Sequence, residues 1–133
     1  MSQRQNISSG TKWEDIAGYS RAVRIGNLVY ISGTTATDAN GDIVGPNDPY
    51  KQTVFIIQKI ERALHEAGAS LDDVVRTRIF VTNASQWEAV ARAHAAFFRD
   101  IRPANTLVEI SALIGEGYVV EMEADAVIQD DRP

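Results

Sequence analysis

Two stretches near the C-terminus hold the residue types that chemistry needs. In residues 118–128, Val120, Met122, Ala124, Ala126 and Ile128 alternate with Glu121, Glu123, Asp125 and Val127. That period of two gives a strand one apolar and one largely acidic face. A carboxylate on such a face can act as a general base or orient a water, provided it lies in a polar cleft with a pKa near the working pH. The same alternation is the ordinary build of a half-solvated strand, and spacing alone leaves both readings open. The second stretch is Arg102-Pro103-Ala104-Asn105-Thr106-Leu107-Val108-Glu109-Ile110. Here a strand begins after a proline and carries Asn105, a neutral side chain with two N–H donors and a carbonyl acceptor. With the loop Gly115-Glu116-Gly117 between them, the two stretches are expected to form a hairpin that holds polar groups at a defined place.

Other chemistries find little support. The 133 residues contain no cysteine, which removes thiol catalysis, disulfides and thiolate metal sites. His65 and His94 are the only histidines; neither has ligand-like spacing to another His, Asp or Glu, so no metal is expected. His65 suits the C-terminal end of a helix dipole, and His94 falls on or beside an apolar helix face. No glycine-rich phosphate loop is present, and Trp13 and Trp87 are expected to pack rather than bind. Thirteen basic residues against 18 acidic ones give a formal charge of −5, a field that repels a phosphate backbone, so a nucleic-acid partner is disfavoured. No apolar run approaches a membrane span and residues 1–12 are polar, which points to a cytoplasmic protein without a membrane partner.

The elements that must position these groups are legible in order. One domain spans 1–133, with residues 1–12 and 129–133 expected to fray. Residues 19–25 alternate, Gly26-Asn27 turns the chain, and Leu28-Val29-Tyr30-Ile31-Ser32-Gly33 returns as a second strand. Residues 34–49 are rich in Thr, Asp, Asn, Gly and Pro and read as a loop with at most a short strand near Ile43. Asp48-Pro49 opens a helix whose stripe of Val54, Ile57, Ile60 and Leu64 runs to a stop at Gly68. Residues 74–82 alternate as a strand. Ser85 with Glu88 reads as a capping box for a second helix, with Trp87, Val90, Ala91, His94, Phe97 and Phe98 on one face. The order hairpin, loop, helix, strand, helix, hairpin gives an α+β domain with one mixed sheet and two helices on one of its faces. The other face, left apolar in part, predicts a homo-oligomer.

Several spaced segments together resemble the RidA/YjgF family. They are Gly18-Tyr19-Ser20-Arg21-Ala22-Val23, Val29-Tyr30-Ile31-Ser32-Gly33, Ala67-Gly68, Val74-Val75-Arg76-Thr77-Arg78-Ile79-Phe80-Val81, Ala96-Phe97-Phe98, Arg102-Pro103-Ala104 and Val120-Glu121-Met122-Glu123-Ala124. The resemblance implies a chorismate-mutase-like fold, a homotrimer, and small-molecule sites in clefts between subunits. It also implies hydrolysis of reactive 2-imino or enamine acids to 2-oxo acids and ammonia, with no cofactor. Carried over residue by residue, it makes Glu121 the group that positions the attacking water. Tyr19 closes the cleft, and Ser32, Gly33 and the backbone near Leu107 hold the substrate. Older family labels, endoribonuclease and translation inhibitor, gain no support from the acidic balance.

The departures are as informative. In deaminating members an arginine follows the proline-alanine pair and holds the substrate carboxylate; this chain has Asn105, expected to donate to the polar end of a ligand. Losing a charged hydrogen bond of about 1.5–3 kcal/mol calls for a different ligand or another cation. Arg21, Arg24, Arg78 and Arg102 are candidates for that cation, and the sequence does not rank them. The family's Ser-Gly-Gln turn is Ser32-Gly33-Thr34 and an asparagine of the second helix is Ala91. These changes leave two expectations: a deaminase of altered or weakened specificity, or a non-catalytic trimeric binding module.

Overall fold

The computed structural model describes residues 3–129. Among them six strands form one sheet, in the order β1-β2-β3-β6-β4-β5. The strands are β1 (Arg4–Ile7), β2 (Ala22–Ile25), β3 (Leu28–Thr34), β4 (Val74–Val81), β5 (Ala104–Glu109) and β6 (Val120–Val127). The helices are α1 (Lys12–Ala17), α2 (Pro49–Glu66) and α3 (Trp87–Phe98).

Local chemistry accounts for the pieces. Between β2 and β3, Gly26 takes a positive φ of 59°, as the first central residue of a two-residue hairpin turn must when the second stays at negative φ. At α2, Pro49 occupies the first turn and the Asp48 side chain accepts from Lys51 N at 3.0 Å. Ile56, Ile57, Ile60, Ala63 and Leu64 then bury one stripe, each large side chain contributing roughly 1.5–3 kcal/mol. The chain leaves the helix through Gly68 at φ 83°, with Ala69 N donating to Leu64 O at 2.8 Å. The two long helices cover one sheet face, where they meet Val29, Ile31, Ile79, Val81, Val120, Met122, Ala124 and Ala126.

Four expectations give way. The C-terminal hairpin does not form, because β5 pairs with β4 in parallel and β6 inserts between β3 and β4, antiparallel to both. The reason lies upstream: β4, α3 and β5 make a crossover unit, and a helical crossover returns the chain parallel to its starting strand. The polar opening is not frayed throughout, since Arg4–Ile7 pairs with β2 as an edge strand and Ile7 is buried; the tail expectation for 130–133 lies outside the described residues. The Ser85 and Glu88 capping box is absent; Asn83 Oδ1 instead accepts from Ser85 N and Oγ at 3.0 and 2.6 Å, capping a 3-10 turn that leads into α3. Trp13 and Trp87 are 46% and 54% exposed in the chain, so neither packs in its core. Helix α1, which sequence periodicity had not singled out, is fastened by buried Glu14, whose carboxylate accepts from Ser9 N at 3.1 Å and Thr11 Oγ1 at 3.1 Å. Burial opposes its ionisation, yet the hydrogen bonds from Ser9, Ser8 and Thr11 hold its pKa below the ordinary carboxylate value.

Candidate functional site

Strand alternation sends Glu121, Glu123 and Asp125 to the sheet face that no long helix covers, while Met122, Ala124 and Ala126 face α2 and α3. The entrance to β6 is fixed by buried Gln52. Its Nε2 donates to Gly45 O and Gly117 O at 2.9 and 2.8 Å, and its Oε1 accepts from Val119 N at 3.0 Å. With the loop so clamped, Glu121 follows at a set height on the sheet.

Beside it the pairing of β3 with β6 slips between Ile31 and Thr34, lifting Ser32 and Gly33 out of the regular ladder. A Cβ on Gly33 would sit 2.5 Å from Glu121 Oε2, so only glycine allows the carboxylate this close. Arg21 locks the irregular segment. Its Nη1 donates to Gly33 O at 2.7 Å and Thr34 Oγ1 at 2.9 Å, and reaches Ser32 O at 3.4 Å. Its Nη2 meets the Tyr19 hydroxyl at 3.4 Å, with the guanidinium 5.7 Å from the tyrosine ring centre. Ser32 Oγ donates to Ser20 O at 2.6 Å. Arg21 is only 8% exposed, and its Nε is buried without a hydrogen-bond partner among the described residues.

The electrostatics follow from this enclosure. Burial pushes the Glu121 pKa up; the Arg21 charge pulls it down and Glu123 pushes it up again. Lys59, on α2, donates to Thr35 O at 2.8 Å. Burial first, then the charges of Arg21 and Arg62, lower its pKa to about 8, against the opposing pull of Asp38. Arg21 therefore acts on a carboxylate and an amine at once. Such a group can hold a polar ligand against a carboxyl whose burial favours its protonated form.

The chain brings Tyr19, Ser32, Gly33 and Glu121 together and sets Asn105 and Leu107 apart. In register, Asn105 lies beside Thr77 and Leu107 beside Ile79, whereas Glu121 lies beside Phe80. Asn105 and Leu107 thus share the helix-covered side of the sheet, two strands from β6 and on the opposite face from Glu121. Asn105 does donate, but inward: its Nδ2 is 2.9 Å from Thr77 Oγ1 and 3.5 Å from Thr77 O. Thr77 Oγ1 also contacts His94 Nε2 at 2.9 Å, and burial lowers the His94 pKa.

The structure also ranks the arginines. Arg78 is held by Glu123 and Asp125 at 3.2 Å each, and Arg24 by the carbonyls of Gly26 and Ala67 at 2.9 and 2.6 Å. Arg102 is exposed at a positive φ of 55° in the turn before β5. Of these four, Arg21 alone acts on Glu121. Lys59 had no sequence signal, because a single lysine next to a helix stripe reads as surface. Among the described residues no three His, Asp or Glu side chains gather as a metal set, and no helix is long and apolar enough to cross a membrane.

Comparison with known proteins agrees with this architecture. The sequence profile of the family described as Endoribonuclease L-PSP matches residues 10–128. A relative from Acinetobacter baylyi named 3-aminoacrylate deaminase RutC is 34% identical over 111 residues, 84% of this chain and 87% of its own. An uncharacterized protein of Streptomyces coelicolor is 35% identical over 123 residues, 92% of this chain and 90% of its own. Among solved structures, Rv2704 of Mycobacterium tuberculosis, described as a member of the YjgF/YER057c/UK114 family, superposes with a TM-score of 0.86 at 48% identity, covering 95% of this chain and all of that one. With its profile matched over nearly the whole chain, its fold shared with YjgF/UK114 structures and RutC among its relatives, this chain belongs to the Endoribonuclease L-PSP family, the group of the RidA, YjgF and RutC proteins.

Proposed function

We propose that this protein binds a small carbonyl, imine or carboxylate metabolite in clefts between the subunits of a homotrimer, and hydrolyses an imine or enamine with altered specificity and without a cofactor, in the cytoplasm. The observation that carries the reading is the half-buried carboxyl of Glu121, set against Gly33 with its pKa raised and with a fixed guanidinium nearby. Glu121 takes a proton from water as the oxygen attacks the C=N carbon and passes it to the nitrogen; as the C–N bond then breaks, the same carboxyl carries the remaining hydroxyl proton to the nitrogen, leaving a C=O product and ammonia. A carboxyl with a raised pKa suits both steps. The Acinetobacter relative named a 3-aminoacrylate deaminase supports this class of chemistry.

Two features support assembly. The sheet face free of long helices exposes Ile25, Leu28, Tyr30, Val108 and Val127, an apolar surface that association would cover. Within one chain the Asn105 edge and the Glu121 end stay apart, so a cleft that holds both needs a second copy. Sedimentation measures the assembly, and a monomer at working concentration sinks the cleft. The chemistry is tested by generating short imines in situ and following ammonia release by wild type and Glu121→Gln. Loss of turnover in the variant supports the reading; equal rates refute it.

A further inference from the structure

The side chain at position 105 is part of a hydrogen-bonded chain that the proposed reaction does not use. Thr77, fully buried, stands between Asn105 and His94 with a contact of 2.9 Å to each. A hydroxyl has one proton to donate. Since Thr77 Oγ1 accepts from Asn105 Nδ2, its own proton is free for His94 Nε2, and an imidazole that burial keeps neutral can accept it. The ring is also held by Phe98, its centre 4.6 Å away.

We propose that His94, acting through Thr77, fixes the Asn105 amide with its oxygen outward, so that the ligand group met at this edge is an N–H donor of the amide class and not a carboxylate. The nitrogen is turned onto both Thr77 oxygens, while Asn105 Oδ1 has no hydrogen-bond partner among the described residues and the residue is exposed. A carbonyl oxygen accepts from N–H and repels a carboxylate oxygen. The resemblance alone suggests a weakened carboxylate anchor here; the hydrogen-bond directions make the anchor one of opposite polarity. His94 and Thr77 are positioning residues that need not touch the ligand.

This inference rests on the proposed reading in one respect, that position 105 faces the bound metabolite, and its test does not use turnover. Propionamide and propionate match in size but offer a neutral N–H donor or an anionic carboxylate, and both are titrated at neutral pH while the Asn105 side-chain amide is followed by NMR. Nitrogen shifts of the imidazole report which ring nitrogen of His94 carries the proton. The expected result is a neutral His94 protonated at Nδ1, with propionamide moving the Asn105 signals at roughly tenfold lower concentration than propionate. Thr77→Val frees the amide to turn and abolishes that preference, and Thr77→Ser, which keeps the hydroxyl, restores it. A proton on Nε2, equal responses to the two probes, or no response to either overturns the proposal. No part of this test measures ammonia release, so loss of hydrolysis with the amide preference intact counts against the hydrolysis reading alone, and loss of the preference counts against this one.

Discussion

At Arg21 the sheet gathers a buried cation, a half-buried carboxyl and a lysine whose pKa has fallen to about 8. At Asn105, on the opposite face and two strands away, an amide, a hydroxyl and an uncharged imidazole share two contacts of 2.9 Å. The first end is positioned by a break in the ladder, with guanidinium bonds to main-chain carbonyls substituting for strand pairing. The second is positioned by the ladder itself, since Asn105 and Thr77 are lateral neighbours in parallel strands. Charge is thus fixed where the sheet is irregular and loops converge. Polarity without charge is fixed where the sheet is regular and a helix covers it.

The contrast can be broken most sharply at the carboxyl. Glu121→Gln is expected to lower imine turnover by about 10²–10⁴ while leaving thermal stability at neutral pH unchanged or slightly higher, because it removes a charge that burial disfavours. Single-turnover assays and melting curves check the two halves. Arg21→Met is expected to cost about 3 kcal/mol in urea unfolding, since Gly33 O and Thr34 Oγ1 lose a charged donor. Its second effect is diagnostic: the Lys59 pKa should rise from about 8, as carbon-labelled lysine NMR would show, because one of the charges that lowers it is gone.

Smaller effects separate the ends further. Gly33→Ala is expected to cost about 1–2 kcal/mol and to reduce turnover toward the Glu121→Gln level, because a methyl at 2.5 Å from Oε2 must displace the carboxylate. A folded variant of undiminished turnover would show that the contact has no catalytic role. Thr77→Val should cost about 1–2 kcal/mol by leaving Asn105 and His94 without their shared partner, and should not alter the Lys59 pKa. The smallest effect is the pH dependence, which has opposite sign at the two ends. The Glu121 pKa is raised by folding, so its contribution to stability is present below the ordinary carboxylate value and is lost as pH rises through the folded pKa. The His94 pKa is lowered, so its contribution is present above about 6.5 and is lost as pH falls through the folded pKa. Unfolding curves of Glu121→Gln and His94→Phe against wild type, taken between acid and neutral pH, should diverge in opposite directions.

Much of the fold was legible because its signals are local. The Gly26-Asn27 turn, the Asp48-Pro49 start of α2 and the alternation of β6 each follow from residues within a few positions of one another. Strand order was not, since whether 104–109 pairs with 120–127 or with 74–81 depends on α3 reversing the chain. Of the site, the acidic face could be read from spacing, and Glu121 was singled out on it by the family resemblance. Arg21 could be named but not ranked above Arg24, Arg78 or Arg102, because its standing comes from the carbonyls of a bulge formed by residues eleven to thirteen positions away.

Sequence by itself determined the types of group on each strand face, the class of fold and the family, because periodicity, turn chemistry and spaced motifs are written along the chain. Tertiary structure alone decided which cation stands beside Glu121, and that Asn105 turns its nitrogen inward to Thr77. Both outcomes depend on contacts across strands and between sheet and helix, where burial and the geometry of hydrogen bonds set charge and direction.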